Sequence, residues 1–397
     1  MVAIHASQQV ARQRNIAISG LLISQSQQLR NAIPALSRLL SVAAWRINPS
    51  SAARYAMLAA AAAGRPGMAV LTSHGGAIDS VAFSHDGKTL ATGSADGTIR
   101  LWDVASHRPI TTLTGHTGAV TSVAFSPDGT ILATGNADGT VQLWNVATYR
   151  PIRVLTSHDG RVNSVAFSPD GTTLATGNAD GTIRLWDVAT RRTTNGPPTS
   201  HGDPVFGVAF GPNGATLATG NADGTVSLWV LVNGSCASGP VISDPRRATS
   251  VGLSPDGATL AAGNADGTIR LWDTATGSPT TRPLTGPAGP ITSVAFSPGG
   301  TTLASASPDH TVRLWDLATS RPIGAPLTGH TGLVTSVAFS PDGKTLAAGG
   351  ADHTVRLWDV AYLVNAGPHL CALAGRSLTR AEWARYVPGL AYQRVCP

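Results

Sequence analysis

Short apolar runs alternate with turn residues through most of the chain. Val120 to Phe125 is a run suited to a β-strand, and Ser126-Pro127-Asp128-Gly129 closes it with a proline that fixes φ and a glycine that accepts positive φ. Three more such runs follow, at Ile131 to Thr134, Thr140 to Trp144 and Pro151 to Leu155. The pattern predicts a four-stranded antiparallel meander.

This unit recurs with a fixed period. The segments SVAFSPDG, GNADGT and LWD return along the chain, and seven tryptophans follow one another at intervals of 42 or 43 residues: Trp102, Trp144, Trp186, Trp229, Trp272, Trp315 and Trp358. One four-stranded sheet cannot bury both of its faces alone, but seven sheets arranged radially cover one another and leave only short edges. The repeat therefore predicts an all-β fold, a seven-bladed β-propeller.

Closure of such a ring needs one strand more than the repeats supply. The seventh repeat contributes three strands and then leaves the pattern at Tyr362. Met68 to Leu71, just before the first repeat, is the one remaining segment compatible with a strand. We predict that it pairs antiparallel with the strand that contains Val355 to Trp358.

The seven copies resemble the repeats of WD-repeat proteins, over about three quarters of the chain. Two repeats depart from the Leu-Trp-Asp pattern, with Asn145 and Val230 in place of the aspartate. The resemblance implies a seven-bladed WD-repeat β-propeller with structural His-Thr-Asp-Trp tetrads. Four repeats carry the complete set: His74, Thr92, Asp96 and Trp102; His116, Thr134, Asp138 and Trp144; His158, Thr176, Asp180 and Trp186; His201, Thr219, Asp223 and Trp229.

A His-Asp-hydroxyl set also suggests nucleophilic catalysis, but a set repeated in every blade cannot converge on one substrate. We expect the indole to donate to the hydroxyl, the hydroxyl to the imidazole, and the imidazole to the carboxylate, which satisfies every buried polar group. Successive histidines lie on different blades, so no metal site is expected. The GNADGT segments lack the spacing of phosphate loops. The sequence thus predicts no catalytic residue and no cofactor.

Composition narrows the function further. The chain has 397 residues with a formal net charge of +6, and it has no polybasic tract, so no specific nucleic-acid partner is expected. No apolar stretch approaches the ~20 residues that cross a bilayer, and no signal peptide is evident. These features predict a cytoplasmic protein without membrane insertion; an extracytoplasmic location stays open if the chain is a fragment of a membrane-anchored protein.

The flanks have a different pattern. Residues 1–65 show helical spacing, with Pro34 suited to a first turn, and residues 362–397 form a tail in which Thr379 and Glu382 have the spacing of a capping box. The predicted domains are therefore a helical region at 1–65, a propeller at 66–361 and a tail with a short helix at 362–397. Cys371 and Cys396 would form a disulfide in an oxidising compartment and remain thiols in a reducing one.

These flanks carry a second resemblance. The stretches QRNIAIS…LRNAIPALSRLLSVAAWRINPSSAARYAML and HLCALAGRSLTRAEWARYVPGLAYQRVCP look like the sensor half of actinobacterial STAND-type NTPases with WD repeats. In that family an NTPase module precedes this region. No P-loop is found here, so the nucleotide-switch activity does not carry over.

The sequence predicts a non-catalytic scaffold or sensor that binds a protein or peptide. The partner is expected on the face that carries the loops between strands 4 and 1 and between strands 2 and 3, where these residues break the repeat: Asp79, Asp159, Arg161, Asp203, Phe206, Arg246, Arg247 and Leu333. Ordinary drift of loop sequences explains them equally well. Two alternatives remain: a regulatory half whose NTPase or kinase lies on another chain, and an enzymatic propeller.

Overall fold

The computed structural model describes residues 2–62, 69–72, 74–156, 160–194, 202–232, 235–243, 246–280 and 282–397. Two compact units make up the chain. The propeller unit contains residues 67–314 and 326–359, and the helical unit contains residues 1–66, 315–325 and 360–397. The helical unit thus joins both flanks with a short segment of the sixth repeat, which the sequence boundaries had assigned to the propeller.

Seven four-stranded sheets, here called blades 1 to 7, follow the seven repeats and confirm the predicted all-β class. Blades 1 to 4 contain β2 (Ile78–Phe83), β3 (Thr89–Ser94), β4 (Ile99–Asp103) and β5 (Arg108–Leu113); β6 (Val120–Phe125), β7 (Ile131–Asn136), β8 (Thr140–Asn145) and β9 (Arg150–Thr156); β10 (Val162–Phe167), β11 (Thr173–Asn178), β12 (Ile183–Asp187) and β13 (Arg192–Thr193); β14 (Val205–Phe210), β15 (Thr216–Asn221), β16 (Thr225–Val232) and β17 (Ser235–Ser243). Blades 5 to 7 contain β18 (Ala248–Leu253), β19 (Thr259–Asn264), β20 (Thr268–Asp273) and β21 (Leu284–Thr285); β22 (Ser293–Phe296), β23 (Thr302–Ala306), β24 (Val312–Asp316) and β25 (Arg321–Pro322); β26 (Val334–Phe339), β27 (Thr345–Gly350), β28 (Thr354–Asp359) and β1 (Ala69–Thr72).

The first strands of the blades form the inner ring of the propeller. Each of these strands contacts the first strands of the two neighbouring blades, and β26 of blade 7 contacts β2 of blade 1. The ring is therefore closed around a central channel.

Ring closure uses a strand from the start of the propeller unit. β1 pairs antiparallel with β28, with Val70 opposite Arg356 and Leu71 opposite Val355. This confirms the predicted pairing for Ala69 to Leu71, while Met68 lies outside the described residues.

The core lies between adjacent blades. Ile99 and Leu101 of blade 1 pack in one buried cluster with Val120 and Val123 of blade 2. Gly93, on the second strand of blade 1, makes this close approach feasible, because a Cβ there would lie 2.7 Å from a methyl carbon of Val120. The invariant spacing of the repeat thus sets both the apolar seam and the small residue that lets the blades meet.

The helical unit contains α1 (Val2–Leu29), α2 (Pro34–Ile47), α3 (Ser51–Ala61), a 3-10 turn (Ala361–Leu363), α4 (Ala366–Ala374) and α5 (Arg380–Tyr386). As expected, Pro34 begins a helix, and the side chains of Thr379 and Glu382 form a reciprocal capping box. The tail has two α-helices where the sequence analysis expected one. Among the described residues, no helix combines the length and the apolar character needed to span a membrane.

Cys371 and Cys396 form a disulfide, which is one of the two states that the sequence left open. The bond ties α4 to the last residues of the tail. Main-chain groups of the tail also accept hydrogen bonds from α2, since Arg46 donates to the carbonyl of Arg394 at 3.0 Å. The two flanks therefore fold as one unit although the propeller sequence separates them.

Candidate functional site: the channel mouth

The polar set of blade 1 forms a buried hydrogen-bond chain. The Trp102 indole N–H donates to the Thr92 hydroxyl at 3.0 Å, and His74 Nε2 lies 2.7 Å from the same oxygen. The second imidazole nitrogen, Nδ1, lies 3.2 Å from the hydroxyl of Thr98 but 3.7 Å from the carboxylate of Asp96, which is too long for a hydrogen bond. The expected imidazole–carboxylate bond is thus replaced in this blade by a contact with Thr98.

Blade 2 departs from the expectation in the same place. The Trp144 indole donates to the Thr134 hydroxyl, which lies 3.2 Å from His116 Nε2. Among the described residues, Asp138 accepts from the hydroxyls of Thr117 and Thr140, at 2.6 Å each, rather than from His116. The predicted bond between His116 and Asp138 is therefore wrong.

The aspartate of the loop between strands 2 and 3 instead anchors the loop that enters its own blade. The carboxylate of Asp96 accepts from the backbone N–H of Gly75 at 2.8 Å, and that of Asp352 accepts from the backbone N–H of Thr331 at 2.9 Å. In blade 5, which has no histidine, Arg246 forms an ion pair with Asp266. Arg246, predicted to face a partner, therefore holds together two loops of its own blade.

The buried imidazoles are neutral near pH 7. Burial lowers the pKa of His74 to about 4 and also lowers the pKa values of His116 and His330. Burial would raise the pKa of Asp96, but hydrogen bonds from Thr98 and Gly75 outweigh it and hold that pKa at about 2. A neutral imidazole, buried at His74 and His330 and half-buried at His116, suits a structural role.

In blade 7 the hydrogen-bond chain is interrupted. His330 Nδ1 lies 3.0 Å from Asp352, but Nε2 is buried and has no hydrogen-bond partner among the described residues, since Ala348 occupies the position of Thr92 and Thr134. Blade 5 has Ala262 at this position as well, so neither Trp272 nor Trp358 has the second-strand hydroxyl that accepts from the indole in blades 1 and 2.

The remaining predicted tetrads are described only in part. Their indoles donate to the expected hydroxyls, Trp186 to Thr176 at 3.4 Å and Trp229 to Thr219 at 3.1 Å. The aspartates cap their own turns, since Asp180 accepts from the hydroxyl of Thr182 and Asp223 from that of Thr225. His158, His201 and the predicted face residue Asp159 lie outside the described residues.

A second set of bonds joins neighbouring blades at the inner ring. In five blades, a side chain at or just before the start of the first strand donates to a main-chain carbonyl at or just before the start of the next blade's first strand. The donors and acceptors are Thr121 and Val162, Asn163 and Val205, Thr249 and Ile291, Thr292 and Val334, and Thr335 and Ile78. These side chains stabilise the ring and have little freedom to serve a ligand.

Asp79 and Phe206 occupy this same position in blades 1 and 4 and make no such bond. Burial raises the pKa of Asp79, against the opposing effect of the nearby Arg161 guanidinium. The guanidinium carbon of Arg247 lies 4.2 Å from the centre of the Phe206 ring, which is cation–π geometry. Phe206 thus contacts an arginine of the next blade, and Asp79 lies within the electrostatic influence of an arginine of blade 3.

The backbone beneath these arginines is fixed, while their side chains are exposed. Arg161, Arg247 and Leu333 each precede the first strand of a blade, and their carbonyls accept from the backbone N–H groups of Ala179, Ala265 and Ala351 at 2.8–2.9 Å. Leu333 is 46% exposed, which is high for a large apolar side chain. We call the surface formed by Asp79, Arg161, Phe206, Arg247 and Leu333 the channel mouth.

Comparison with known families agrees with this architecture. A family model described as the IFT122 first beta-propeller matches residues 66–229, and the model of the WD domain, G-beta repeat, matches residues 242–273, 278–316 and 321–359. The chain is a WD-repeat β-propeller protein. A search of curated proteins gave no match. WD-repeat propellers are in general scaffolds for protein interactions and typically have no catalytic activity.

The structure of this WD-repeat protein separates the predicted face residues into groups. Five form the channel mouth, Arg246 is engaged with Asp266, and Asp203 is an exposed residue of the loop into blade 4. The sequence analysis treated all eight alike, as breaks in regularity. Aligning the repeats by strand position would have shown that Asp79 and Phe206 replace a hydrogen-bonding residue that five other blades retain.

Proposed function

We propose that the channel mouth binds a protein or peptide partner. The observation that carries the proposal is the replacement of the ring-bonding side chain by Asp79 and Phe206. A position that serves only the ring would keep threonine or asparagine, as in the other five blades. Asp79 and Phe206 make no such bond between blades. They instead place a carboxyl group and an aromatic ring beside exposed arginines.

The chemistry of the mouth favours a segment that presents an apolar side chain next to an acidic one. Phe206 and Leu333 offer apolar contact area, and Arg161 and Arg247 offer guanidinium groups that pair with carboxylates in a bidentate way. Aromatic and arginine side chains are the residue types that dominate binding energy at protein interfaces. Because the backbone is already fixed, little ordering of the mouth opposes binding.

A non-catalytic function is part of this proposal. Among the described residues, the repeated imidazoles His74, His116 and His330 are buried or half-buried, neutral and bonded within their own blades. The arrangement therefore supplies binding groups and no positioned nucleophile with a base.

The test uses substitutions that restore the usual ring residue. Asp79→Thr and Phe206→Thr should keep or raise the melting temperature, because threonine can donate to the next blade as Thr121 does. The same variants should lose partners in a pull-down from host lysate that is read by quantitative mass spectrometry. The matched control is Arg150→Gln, since Arg150 is exposed and begins the fourth strand of blade 2, at the opposite end of the blade. Partner sets that are identical for wild type and both threonine variants would refute the proposal.

A second proposal makes the chain the regulatory half of a signalling NTPase or kinase system whose catalytic module is on another polypeptide. It rests on the resemblance of the two flanks to STAND-type proteins, and it is supported by their folding as a single unit. A separate P-loop or kinase chain that co-purifies with the protein would support it. Co-purification that persists in the Phe206→Thr variant would assign that contact to a surface other than the channel mouth.

A further inference from the structure

The helical unit contains a pocket that is lined entirely by residues of the two flanks. It has a volume of about 480 Å³, within the range of small-molecule sites. α2, α3 and the segment that leads into α4 surround it, and its apolar wall includes Val42, Trp45, Met57, Leu58, Leu363 and Pro368. Val42, Met57 and Leu58 are almost completely buried, so the floor of the pocket is part of a packed structure.

The unit around this pocket has an unusual charge. Residues 1–66 contain seven arginines and neither aspartate nor glutamate. The whole helical unit has twelve arginines against two side-chain carboxylates, Asp316 and Glu382. Its formal charge is therefore strongly positive, although that of the full chain is only +6, and an anion is favoured over a cation here.

Both carboxylates of the unit are already paired. Asp316 is fully buried and forms an ion pair with Arg54, which lines the pocket. Glu382 receives two bonds of 2.7 Å from Arg376, which lines a smaller neighbouring cavity of about 310 Å³. The charge of each of these arginines is thus balanced by a carboxylate within the unit.

Arg46 differs from them. It also lines the pocket, and it donates to the main-chain carbonyl of Arg394, but among the described residues it has no acidic partner. The pocket therefore combines an apolar floor with one guanidinium that, within the described residues, pairs with no aspartate or glutamate side chain.

We propose that this pocket binds a small amphiphilic monoanion, a carboxylate or sulfonate on an apolar chain or ring. The head group would pair with Arg46, and the apolar body would lie against Met57 and Leu58. A single guanidinium without a side-chain carboxylate partner matches a monovalent head better than a phosphate, which carries about two charges near pH 7. The Cys371–Cys396 disulfide forms part of the wall, because Cys371 lines this pocket and both cysteines line the neighbouring cavity.

Two fluorescent probes of nearly identical shape test the proposal on the full chain. 8-Anilinonaphthalene-1-sulfonate carries one negative charge, whereas N-phenyl-1-naphthylamine has the same aromatic body without it. The sulfonate should bind saturably with one site and about tenfold more tightly than the neutral probe, which corresponds to one charge-assisted hydrogen bond. Dodecanoate should displace it. Equal affinity of the two probes, or no saturable binding, would overturn the proposal.

Three variants locate the site. Arg46→Gln should weaken binding of the sulfonate about tenfold and leave the neutral probe unchanged. Gly367→Trp should reduce binding of both probes, since Gly367 lines the pocket and a Cβ there meets no atom within 4 Å. Arg12→Gln, on the exposed surface of α1, is the matched control and should change neither. Unchanged sulfonate binding in Arg46→Gln, or retention of both probes in Gly367→Trp, would place the binding elsewhere, provided that circular dichroism shows folded variants.

Discussion

Val123, in the first strand of blade 2, donates its backbone N–H to the hydroxyl of Ser80 in blade 1 at 3.1 Å. The same bond joins six of the seven pairs of neighbouring blades, at 3.1–3.2 Å. The other five pairs are Ser122 and Val165, Ser164 and Val208, Ser250 and Val294, Ser293 and Val337, and Ser336 and Val81. At the junction of blades 4 and 5, Gly207 stands where the serine belongs, so Val251 has no hydroxyl to bond. Because Phe206 also lacks the neighbouring ring bond, this junction is the least bonded of the inner ring.

The variant Gly207→Ser should restore the missing bond. A Cβ at Gly207 would lie 3.1 Å from both the nitrogen and a methyl carbon of Val251, so the added hydroxyl would be close to its donor once Val251 has moved by a few tenths of an ångström. We expect a gain of ~1 kcal/mol in the free energy of unfolding, measured by chemical denaturation. Gly207→Ala adds the same Cβ without the hydroxyl and should give no gain, while Ser164→Gly should lose about as much as the serine variant gains. Equal effects of serine and alanine would show that the hydroxyl is not responsible.

The variant Ala348→Thr should complete the hydrogen-bond chain of blade 7. Its hydroxyl would reach both the unpaired His330 Nε2 and the indole of Trp358, as Thr92 does in blade 1. We expect the melting temperature to rise, with a gain of ~1 to 2 kcal/mol for two recovered bonds. In blade 5, Ala262→Thr would serve only Trp272 and should gain about half as much. A loss of stability in both variants would mean that these sites cannot accommodate the extra methyl group.

Amide hydrogen exchange should reveal uneven stability around the ring. Blades 5 and 7 lack the hydroxyl beneath their tryptophans, so we expect residues 243–360 to exchange faster than the amides of the first four blades. The comparison is made between equivalent strand positions, for example Leu101 and Leu357, which are both buried. Equal or greater protection in the second half would contradict the expectation.

The propeller should lose stability as the pH falls below neutrality. Burial holds the pKa of His74 at about 4, below its ordinary value of 6.5, so the unfolded chain binds the extra proton first. The contribution of His74 to the free energy of unfolding is therefore fully present above pH ~6.5. It is lost as the pH falls towards 4, and the loss amounts to ~2 kcal/mol. Asp96 and Asp352 have pKa values of about 2 in the folded chain, below the ordinary value of 3.8. The unfolded chain therefore binds their protons first, and the free energy of unfolding decreases further as the pH falls below ~3.8. His74→Gln should flatten the dependence of the unfolding free energy on pH between 6.5 and 4, and an unchanged slope would assign it to other groups.

Reduction of the disulfide should loosen the tail and leave the blades intact. Cys371 and Cys396 are separated by 25 residues, and closing a loop of that length is worth ~3 kcal/mol on a chain-entropy estimate. Dithiothreitol should therefore speed tryptic cleavage at Arg380 and Arg394, measured by mass spectrometry. The double variant Cys371→Ser/Cys396→Ser should be cleaved rapidly with or without reductant. Cleavage of the wild type at the same rate in both conditions would refute a stabilising role.

The sequence predicted the propeller well because its periodicity repeats one local rule seven times. The strands of blade 2, to within two residues at each end, and the pairing of β1 with β28 follow from that rule and a count of strands. It predicted the polar chemistry less well, since hydrogen-bond partners depend on distances that spacing does not give. Thr117 and Arg246 became partners of the loop aspartates because the entering loops differ in course from blade to blade.

The helical unit was the hardest part to predict. α1 packs against α2 partly through serines, with the Ser37 hydroxyl donating to the carbonyl of Ser26 at 2.7 Å. A serine interface gives no apolar periodicity, so the full extent of Val2–Leu29 could not be inferred. The pocket could not be predicted from the sequence for another reason. Its walls come from residues more than 300 positions apart, such as Val42 and Leu363.

The pairing of β1 with β28 also bears on how the protein is made. During synthesis β1 leaves the ribosome first, whereas its partner emerges more than 280 residues later. Until then the outer edge of blade 7 does not exist, and the hydrogen-bonding groups of β1 have no strand to meet. A chain cut short by a premature stop or by proteolysis would keep an open sheet edge of the kind that aggregates and that quality-control proteases can recognise. The first and last repeats can therefore join, and the open edge can be covered, only after blade 7 has been synthesised.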